Sequence, residues 1–445
     1  MVIITYRGGV HMLIEFSVGN FLSFKEIVNL NMVASTRKEN NANTFSDGKS
    51  IFLKSCVIYG ANASGKSNLI EAMSFMKRFV LNSSKETQIK ESIPVNHFKL
   101  STETDNMPSH FEIIFNLKGV IFRYGFELDH LKIHKEWLFY IPKTKEVKLF
   151  VRDNNGIKLG KAFKEGVDLE NKTRVNALFL SVVAQFNGEI AEKIITWFTN
   201  FNMISGVRNS NTEYTIEMLS DPLYKLQILN FMKIADLGIE DVSVETNAIK
   251  IVLSEEIPVQ VRKYILTETN EVVNRTTTFT HHKKFNADNQ FLNFELFKLE
   301  SDESEGTKKI FSVAGPILDT LHGGKVLVID ELDAKLHPKL TRFIIGLFNS
   351  EEINPLNAQL IFATHDTSLL DKKIFRRDQI WFTEKDQFGS TTLYSLLEYN
   401  VVRKDASYNK DYINGKYGAI PFIGDTSILF EEKNESSEKG NLPTS

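Results

Sequence analysis

The feature that most constrains this 445-residue chain is a glycine loop that begins at Gly60 and ends at Ser67. Its sequence, GANASGKS, matches the pattern GxxxxGK[ST] at every fixed position. It follows the apolar run SCVIY at 55–59 and precedes a segment with helical apolar spacing that begins at Asn68. Such a turn, between a buried strand and a helix, presents backbone N–H groups and the positive end of the helix dipole to a phosphate. The loop therefore predicts a nucleoside triphosphate site in an α/β fold.

The residue types inside the loop assign separate roles in this chemistry. Lys66 is expected to reach the β- and γ-phosphates of ATP, and the Ser67 hydroxyl is expected to bind Mg²⁺. The other predicted nucleotide-binding positions of the loop are Gly60, Asn62, Ala63, Ser64, Gly65 and Asn68. ATP and Mg²⁺ are thus the predicted ligands.

A second apolar run, VLVID at 326–330, ends in two acidic residues, Asp330 and Glu331. A carboxylate at a strand tip near the glycine loop can hold Mg²⁺ through its water shell, which is the role predicted for Asp330. Glu331 is expected to orient and activate the attacking water. A strand that ends in two acids is also common as a purely structural feature. Its combination with the glycine loop favours the functional interpretation.

The segment ESEGTK at 303–308 lies about one helix before the acidic strand. Ser304, Gly306 and Thr307 place two hydroxyls and a flexible amide at the start of a predicted helix, which is a second anion-binding helix N-terminus. The same residues also fit a simple helix cap. The position just upstream of the acids favours a role at the γ-phosphate held by another protomer.

Two further polar residues follow the acidic strand and the next apolar strand. Asp333 is suited to cross a dimer interface, and His365, at the tip of the run QLIFA, can hydrogen-bond a γ-phosphate or the attacking water. His337 is expected to cap or pack at a helix start.

Other histidines give weaker signals. Arg275 and His281 superficially match a ribonuclease pattern, but such pairs lie on helices and this run is Thr-rich. His281 and His282, with His130 and His134, could be considered as metal ligands, yet no companion Cys or acid spacing supports a metal site. Surface or core histidines are the preferred interpretation.

Composition limits the class of protein. The net charge of −3 gives no general indication of nucleic-acid binding, so a basic surface would have to be local. The single cysteine, Cys56, lies in an apolar run and is expected to be buried, and one cysteine fits a reducing cytoplasm. No apolar run approaches the roughly 18 residues of a membrane helix. Residues 1–11 lack a signal-peptide pattern and are interpreted as an extension before the first strand at Met12. A cytoplasmic protein without a membrane segment is expected.

Apolar periodicity divides the chain into four predicted parts. Residues 12–80 and 301–430 are expected to form the two halves of an ATPase head, and residues 431–445 a disordered tail. Residues 81–300 are expected to hold further strands of the head and an inserted, mainly helical lobe, with the helical pattern at 168–235.

Strand signals are predicted at several places along the chain. These are an antiparallel hairpin at 12–33, the runs FEIIF, FRYGFEL and EWLFYI between 110 and 141, and a strand-rich stretch at 241–298. From 303 to 400 the pattern predicts helix, strand, helix, strand, helix and two further strands, as in a parallel α/β sheet.

About 260 residues separate Lys66 from Asp330, far more than one strand-helix-strand unit needs. Together with the motifs described above, this spacing resembles that of ATPases of the ABC and SMC type. The closer resemblance is to the bacterial family that includes RloA, the lactococcal abortive-infection ATPase AbiL and the ATPase subunit of PARIS anti-phage systems. The segments that carry it are MLIEFSVGNFLSFKE, GANASGKSNLIEAM, RVNALFLS, ADLGIED, ESEGTKK, DELDAKLHP and INGKYGAIP.

This resemblance implies an ABC/SMC-type P-loop ATPase head with an inserted helical and strand lobe. It also implies an ATP-dependent sensor or scaffold that forms a homodimer or higher homo-oligomer and controls a separately encoded, nuclease-like effector. A phage trigger protein and DNA are further candidate partners. The glutamine loop of such heads is not identifiable here. Two alternatives stay open, a DNA-repair clamp similar to RecF and a stand-alone ribonuclease built on Arg275 and His281.

Overall fold

Two large β-sheets organise the chain in a computed structural model that describes residues 11–85, 91–142, 144–207, 211–235, 237–250, 272–399 and 407–421. The strands are β1 His11–Gly19, β2 Val28–Asn31, β3 Thr44–Ser46, β4 Ile51–Leu53, β5 Ser55–Tyr59, β6 Ser109–Leu117, β7 Val120–Leu128, β8 Ile133–Ile141, β9 Val147–Asp153, β10 Gly156–Leu159, β11 Phe201–Ser205, β12 Ile239–Lys250, β13 Val272–Phe285, β14 Phe291–Lys298, β15 Val326–Asp330, β16 Gln359–Ala363, β17 Ile380–Lys385 and β18 Thr391–Ser395. The α-helices are α1 Lys66–Asn82, α2 Phe179–Gln185, α3 Glu189–Thr199, α4 Thr212–Met218, α5 Pro222–Ile234, α6 Glu305–Gly323, α7 Pro338–Asn349 and α8 Tyr408–Ile413.

The first sheet has the strand order β11-β15-β16-β5-β17-β18. All neighbouring strands in it are parallel except β18, which pairs antiparallel with β17 at the edge. Its central strands are continuous apolar runs because both faces of a parallel sheet are covered. The predicted α/β fold with a parallel sheet is therefore confirmed.

Alternate residues of β5 show how both faces are buried. Cys56 and Ile58 belong to a core that also contains the apolar face of α1, whereas Val57 and Tyr59 face a second core with α6 and α7. Since side chains alternate across a strand, the five-residue run SCVIY supplies both cores at once. This double burial fixes the strand that carries the glycine loop.

The second sheet is antiparallel, in the order β10-β9-β8-β7-β6-β1-β2. The hairpin predicted at 12–33 is confirmed as β1 and β2, and the three runs between 110 and 141 form β6, β7 and β8. Apolar side chains from this sheet share one core with α1, α2 and α3. Helix α1 thus packs between the two sheets and positions its own N-terminus.

One strand of the parallel sheet was not predicted. Residues 201–205 lie inside the stretch 168–235, whose apolar spacing indicated helices throughout, but they form β11 and pair in parallel with β15. The spacing of Phe201 and Ile204 also fits a helix, so the local pattern does not specify a strand. This five-residue segment becomes a strand because it pairs with the otherwise free edge of β15. The described residues of this stretch supply four α-helices and one strand of the parallel sheet.

The helix predicted between β16 and β17 is wrong. The described chain there has two short 3₁₀ turns, Thr367–Leu369 and Arg377–Gln379. Asp366 accepts a hydrogen bond from the N–H of Ser368, and Asp371 accepts one from the N–H of Lys373. Short acidic side chains that bond the backbone two residues ahead favour turns over helices.

A buried carboxylate ties the antiparallel sheet to the helices behind it. Glu136 on β8 is fully buried and accepts hydrogen bonds from the N–H groups of Phe179 and Leu180, at the start of α2, and from the Tyr124 hydroxyl. The Arg152 guanidinium lies 3.8 Å away. Burial raises the pKa of Glu136. The carboxylate satisfies N–H groups that a helix start otherwise leaves unpaired.

A separate three-stranded sheet, β12-β13-β14, leads into α6. The extended backbone predicted for residues 276–280 is confirmed within β13. In the described part of the chain, no helix is long and apolar enough to cross a membrane. Residues 1–10 and the predicted tail at 431–445 lie outside the described residues.

Candidate nucleotide site

The predicted site residues meet at one edge of the parallel sheet. The glycine loop follows β5, His365 follows β16, and Glu331 follows β15. Because these strands are parallel, their carboxyl ends share an edge, which is where open α/β sheets bind ligands. β16 lies between β5 and β15, so His365 lies between the loop and the acids.

Two glycines of the loop are required by close contacts. Gly65 has a φ of +114°, and a Cβ there would lie 2.5 Å from the Thr391 hydroxyl. At Gly60 a Cβ would lie 2.5 Å from the carbonyl oxygen of Thr383. A side chain at either position would push the loop away from β17 and β18. The fixed glycines of the motif are therefore explained by packing as well as by phosphate access.

Hydroxyl groups from distant strands hold the loop in place. The hydroxyls of Ser64 and Thr383 are 2.6 Å apart, Thr391 donates to the carbonyl oxygen of Ser64 at 2.9 Å, and the hydroxyls of Thr391 and Ser23 are 2.8 Å apart. Asn68 donates to the same Ser23 hydroxyl at 2.7 Å. Sequence reasoning missed Ser23, which lies in a turn, and Thr383 and Thr391, which lie in strands, because single hydroxyl residues carry no motif.

Lys66 is buried and donates to the carbonyl oxygens of Gly60, at 2.8 Å, and Ala61, at 3.1 Å. Burial lowers its pKa, and the charges of Asp330 and Glu331 act in the opposite direction. The lysine therefore lies curled against the loop, with its charge facing the acidic strand tip.

Asp330 and Ser67 form the oxygen pair predicted for Mg²⁺. The Ser67 hydroxyl interacts with the Asp330 carboxylate and acts to lower its pKa, and Asp330 Oδ1 is buried without a hydrogen-bond partner among the described residues. Burial raises the pKa of Asp330. A hydroxyl beside a carboxylate with an unpaired buried oxygen is a donor set that fits a hard divalent cation.

Glu331 adopts a left-handed backbone conformation with φ +54°. Its carbonyl lies against Gly206, which follows β11, and a Cβ at Gly206 would be 1.8 Å from the Glu331 carbonyl oxygen. A non-glycine residue in this conformation carries strain that the surrounding structure must hold. Gly206 is thus a further site residue that the sequence did not indicate, since β11 itself was not predicted.

A cavity of about 470 Å³ lies over the loop. Its lining residues are Asn62, Ala63, Ser64, Gly65, Lys66, Ser67, Asn68, Glu331, His365 and Lys385. All but one of them were expected from sequence. Lys385, at the end of β17, was not expected, because no motif marks it. It adds a positive charge to a cavity whose chemistry already suits phosphates.

Asp333 and His365 lie close together beside this cavity. The backbone N–H of His365 donates to Asp333 Oδ2 at 3.4 Å, and Asp333 Oδ1 is buried without a hydrogen-bond partner among the described residues. His365 is exposed and also interacts electrostatically with Asp330. The histidine is therefore free to contact a ligand in the cavity.

The segment around Ser304 is not among the residues that line the cavity. Ser304 is the N-cap of α6, and its hydroxyl accepts a hydrogen bond from the Thr307 N–H at 3.1 Å. Gly306 lies close to the turn after β15, since a Cβ there would be 3.3 Å from the Lys335 carbonyl oxygen. Within one chain this segment contacts the turn at 331–336, not the glycine loop.

Four other histidines each have a local partner. The cap predicted for His337 is confirmed by the Lys339 N–H, which donates to its Nδ1 at 3.2 Å. His134 lies 2.6 Å from Asp129, His281 lies 2.8 Å from the Ser243 hydroxyl, and His282 lies 2.7 Å from Glu303. Arg275 and His281 both lie on strand β13.

Comparison with solved structures found SMC heads at low identity. The SMC head domain from Thermotoga maritima is 13% identical, with a TM-score of 0.38 over 86% of this chain and 98% of that chain. The SMC head bound to the C-terminal winged-helix domain of ScpA is 13% identical, with a TM-score of 0.40 over 86% of this chain and 97% of that chain. A third structure is the SMC head with an extended coiled coil bound to the C-terminal domain of ScpA, derived from Pyrococcus furiosus. It is 12% identical, with a TM-score of 0.39 over 86% of this chain and 96% of that chain.

A search of curated protein sequences found no significant match. A family model matches residues 56–371, which is more than half of the chain and runs from β5 past His365. The chain belongs to the family described as "AAA domain, putative AbiEii toxin, Type IV TA system".

Proposed function

We propose that this chain is the ATP-binding and ATP-hydrolysing subunit of a bacterial anti-phage, abortive-infection system. The observation that carries the proposal is the cavity in which Lys66, Glu331 and His365 converge over the glycine loop. A phosphate-binding loop, a strand-end acid and a strand-end histidine are the parts that ATP hydrolysis needs.

In this proposal each group has one task. Lys66 leaves the carbonyl oxygens of the loop and binds the β- and γ-phosphates. Ser67 and Asp330 hold Mg²⁺, which neutralises phosphate charge when bound. Glu331 orients and activates the attacking water, and His365 reports on the γ-phosphate through a hydrogen bond.

The site is completed by a second copy of the chain. Ser304, Gly306 and Thr307 present an anion-binding helix start that lines no part of its own chain's cavity, and Asp333 has a buried oxygen without a partner in the described chain. A head-to-head dimer would bring each Ser304 segment to the γ-phosphate held by the other protomer. ATP then favours the closed dimer, and hydrolysis weakens it.

The biological role rests on the family and on the sequence resemblance. The description of the matching family names a toxin of a toxin–antitoxin system, and the segments quoted above resemble RloA, AbiL and the PARIS ATPase subunit. The ATP-dependent change of state would control a nuclease-like effector encoded separately, in answer to a phage trigger protein. Hydrolysis in such a sensor is slow and regulatory.

The test is survival of phage-challenged cells that express the chain with its neighbouring gene. Protection is expected with the wild-type chain and not with Lys66→Ala. Lys161→Ala, at an exposed position, is the matched control and should protect as well as wild type. Protection that persists with Lys66→Ala contradicts an ATP-gated role. Absence of protection in every combination favours a RecF-like repair clamp, whose affinity for DNA would fall steeply with salt.

A further inference from the structure

The outer strand of the three-stranded sheet is unusually apolar for its exposure. All eight residues of β14 are exposed, and five of them are Phe or Leu. The exposed fractions are 50% for Phe291, 59% for Leu292, 47% for Phe294, 47% for Leu296 and 37% for Phe297. Isolated proteins protect such edges with charges, proline or a covering element.

One edge of β14 is paired and the other is not. Its residues pair with β13 from Phe285 opposite Phe291 to Phe279 opposite Lys298. In the described part of the chain, β14 ends the sheet order β12-β13-β14, so its outer edge pairs with no further strand. The backbone groups on this edge are a template for an additional antiparallel strand.

The sequence of β14 indicates which strand fits that edge. From 291 to 297 it reads FLNFELF, in which each Phe and Leu recurs at the same distance on either side of Phe294. In an antiparallel pair of two such strands centred on Phe294, Phe lies opposite Phe, Leu opposite Leu, and Asn293 opposite Glu295. Pairs of apolar side chains and pairs of polar side chains that lie opposite each other on neighbouring strands stabilise a sheet.

The irregularity in the ladder with β13 lies between Lys284 and Phe285, opposite the first residues of β14. The centre at Phe294 lies beyond it, opposite Lys283, where the strand pairs regularly. A symmetric pair centred there is an isologous contact, the commonest way in which identical chains associate.

We propose that β14 is a self-association strand, which pairs antiparallel with β14 of a second copy of this chain. The three-stranded sheet β12-β13-β14 of each copy, called the arm below, then becomes half of one six-stranded sheet. This contact is separate from the ATP-dependent interface and needs no nucleotide. Each apolar side chain of β14 gains a cross-strand neighbour from the second copy, which covers part of the apolar surface that the single chain exposes.

The arm is tied to the segment that precedes Ser304. Leu299 donates its N–H to the Thr278 carbonyl oxygen at 2.9 Å, and Glu303 accepts hydrogen bonds from the Thr280 hydroxyl at 2.5 Å and from His282 at 2.7 Å. Pairing of two arms therefore sets where two α6 helices start relative to each other. The contact links copies whether or not their ATP sites are closed.

Sedimentation velocity of the full chain without nucleotide tests the proposal. The wild-type chain is expected at twice its monomer mass of 50.8 kDa. Phe294→Glu should shift it to the monomer, because two carboxylates would face each other across the pair. This variant keeps the arm folded, since Lys283 lies opposite residue 294 on β13.

Phe186→Glu is the matched control, because Phe186 is also exposed and lies beside Lys172. It should leave the dimer intact. Lys66→Ala should also remain dimeric, which separates this contact from the ATP-dependent one. A monomeric wild-type chain at all concentrations, or a dimer unaffected by Phe294→Glu, overturns the proposal.

Cysteine cross-linking tests the register. The chain has one cysteine, Cys56, which is buried, so the background is low. Mild oxidation of Phe294→Cys should give a covalent dimer, because directly opposite residues in a strand pair lie within disulfide reach. Asn286→Cys, in the turn before β14, should give none. A covalent dimer of Asn286→Cys together with none of Phe294→Cys would contradict the proposed register. Absence of a covalent dimer from both variants would contradict self-pairing of β14.

Discussion

The Lys335 ammonium lies 2.7 Å from the Glu305 carboxylate, and this ion pair joins the turn after the acidic strand to the first residue of α6. The hydrogen bond from Lys335, with a second from Lys308, lowers the pKa of Glu305 to about 2. The turn that begins with Glu331 and the helix start that carries Ser304 are therefore linked within one chain. Because we propose that these two segments serve different ATP molecules, the pair connects the two sites.

We expect Lys335→Ala to slow ATP hydrolysis while ATP binding is retained, because the glycine loop is untouched. The thermal unfolding midpoint should hardly change, since exposed ion pairs contribute little to stability. Steady-state hydrolysis and binding of a fluorescent ATP analogue measure the two effects. Lys308→Ala is the control, because Lys308 also bonds Glu305 but lies on α6 itself. If wild type and Lys335→Ala hydrolyse ATP at equal rates, the ion pair between Lys335 and Glu305 does not connect the two sites. The double variant Lys335→Glu with Glu305→Lys, which reverses the pair, should restore the hydrolysis rate.

Gly65→Ala should abolish nucleotide binding. The new Cβ would lie 2.5 Å from the Thr391 hydroxyl, so the loop must move away from β18. Gly156→Ala is the matched control, because Gly156 also has a positive φ, +103°, but has no neighbour within contact distance. The control should cost about 1–2 kcal/mol of unfolding free energy from backbone strain and leave binding intact. Isothermal titration with ATP distinguishes the variants, and full affinity in Gly65→Ala contradicts the packing explanation.

Burial, with a smaller effect of Lys335, lowers the pKa of Lys309 to about 8, and this side chain donates to the Ser205 carbonyl oxygen. The unfolded chain would hold the proton up to about pH 10.4. Between these values the unfolded state binds more protons, so stability rises with pH. We expect this rise to contribute about 2 kcal/mol between pH 7.5 and 9.5, from about 1.4 kcal/mol for each unit of pKa.

Urea unfolding at the two pH values measures this dependence. Lys309→Met should flatten it, whereas Lys308→Met, one residue earlier, should not. A pH dependence that is identical in Lys309→Met and wild type would show that this lysine is not the titrating group.

Glu331→Gln should bind ATP and fail to turn it over, with hydrolysis reduced about 10²–10⁴-fold through loss of the base. The amide keeps the size of the side chain and the backbone at φ +54°. In size-exclusion chromatography this variant should shift, on addition of ATP and Mg²⁺, to a closed species that the wild-type chain does not accumulate. Glu352→Gln, at an exposed position, is the control. Normal turnover by Glu331→Gln would remove Glu331 from the role of activating base.

The sequence predicted the parts of the site that depend on a short local pattern. The apolar strands SCVIY, VLVID and QLIFA each end at a functional segment, and the positions of these segments at one sheet edge follow from parallel pairing. Residues whose role depends on distant chain contacts were missed. Thr383, Thr391 and Ser23 act on the loop only because β17 and β18 fold beside it.

The same reason explains the missed strand and the wrong helix. β11 has five residues with an apolar spacing that also suits a helix, and only the open edge of β15 makes it a strand. The stretch between β16 and β17 has some helical spacing, but turn-forming acidic residues such as Asp366 and Asp371 prevent a helix. Tertiary pairing and side-chain-to-backbone bonds outweigh propensity in segments this short.

The most direct test of the shared ATP site is complementation between two inactive variants. Lys66→Ala removes the phosphate lysine and keeps Ser304. Ser304→Asp keeps the helix cap, because Asp is also a favoured N-cap, but places a negative charge against the γ-phosphate. An equal mixture should recover about a quarter of the wild-type hydrolysis rate, since half of randomly assorted dimers would carry one intact site of two. A mixture as inactive as its parts, or full activity of Ser304→Asp alone, would contradict a site shared between protomers.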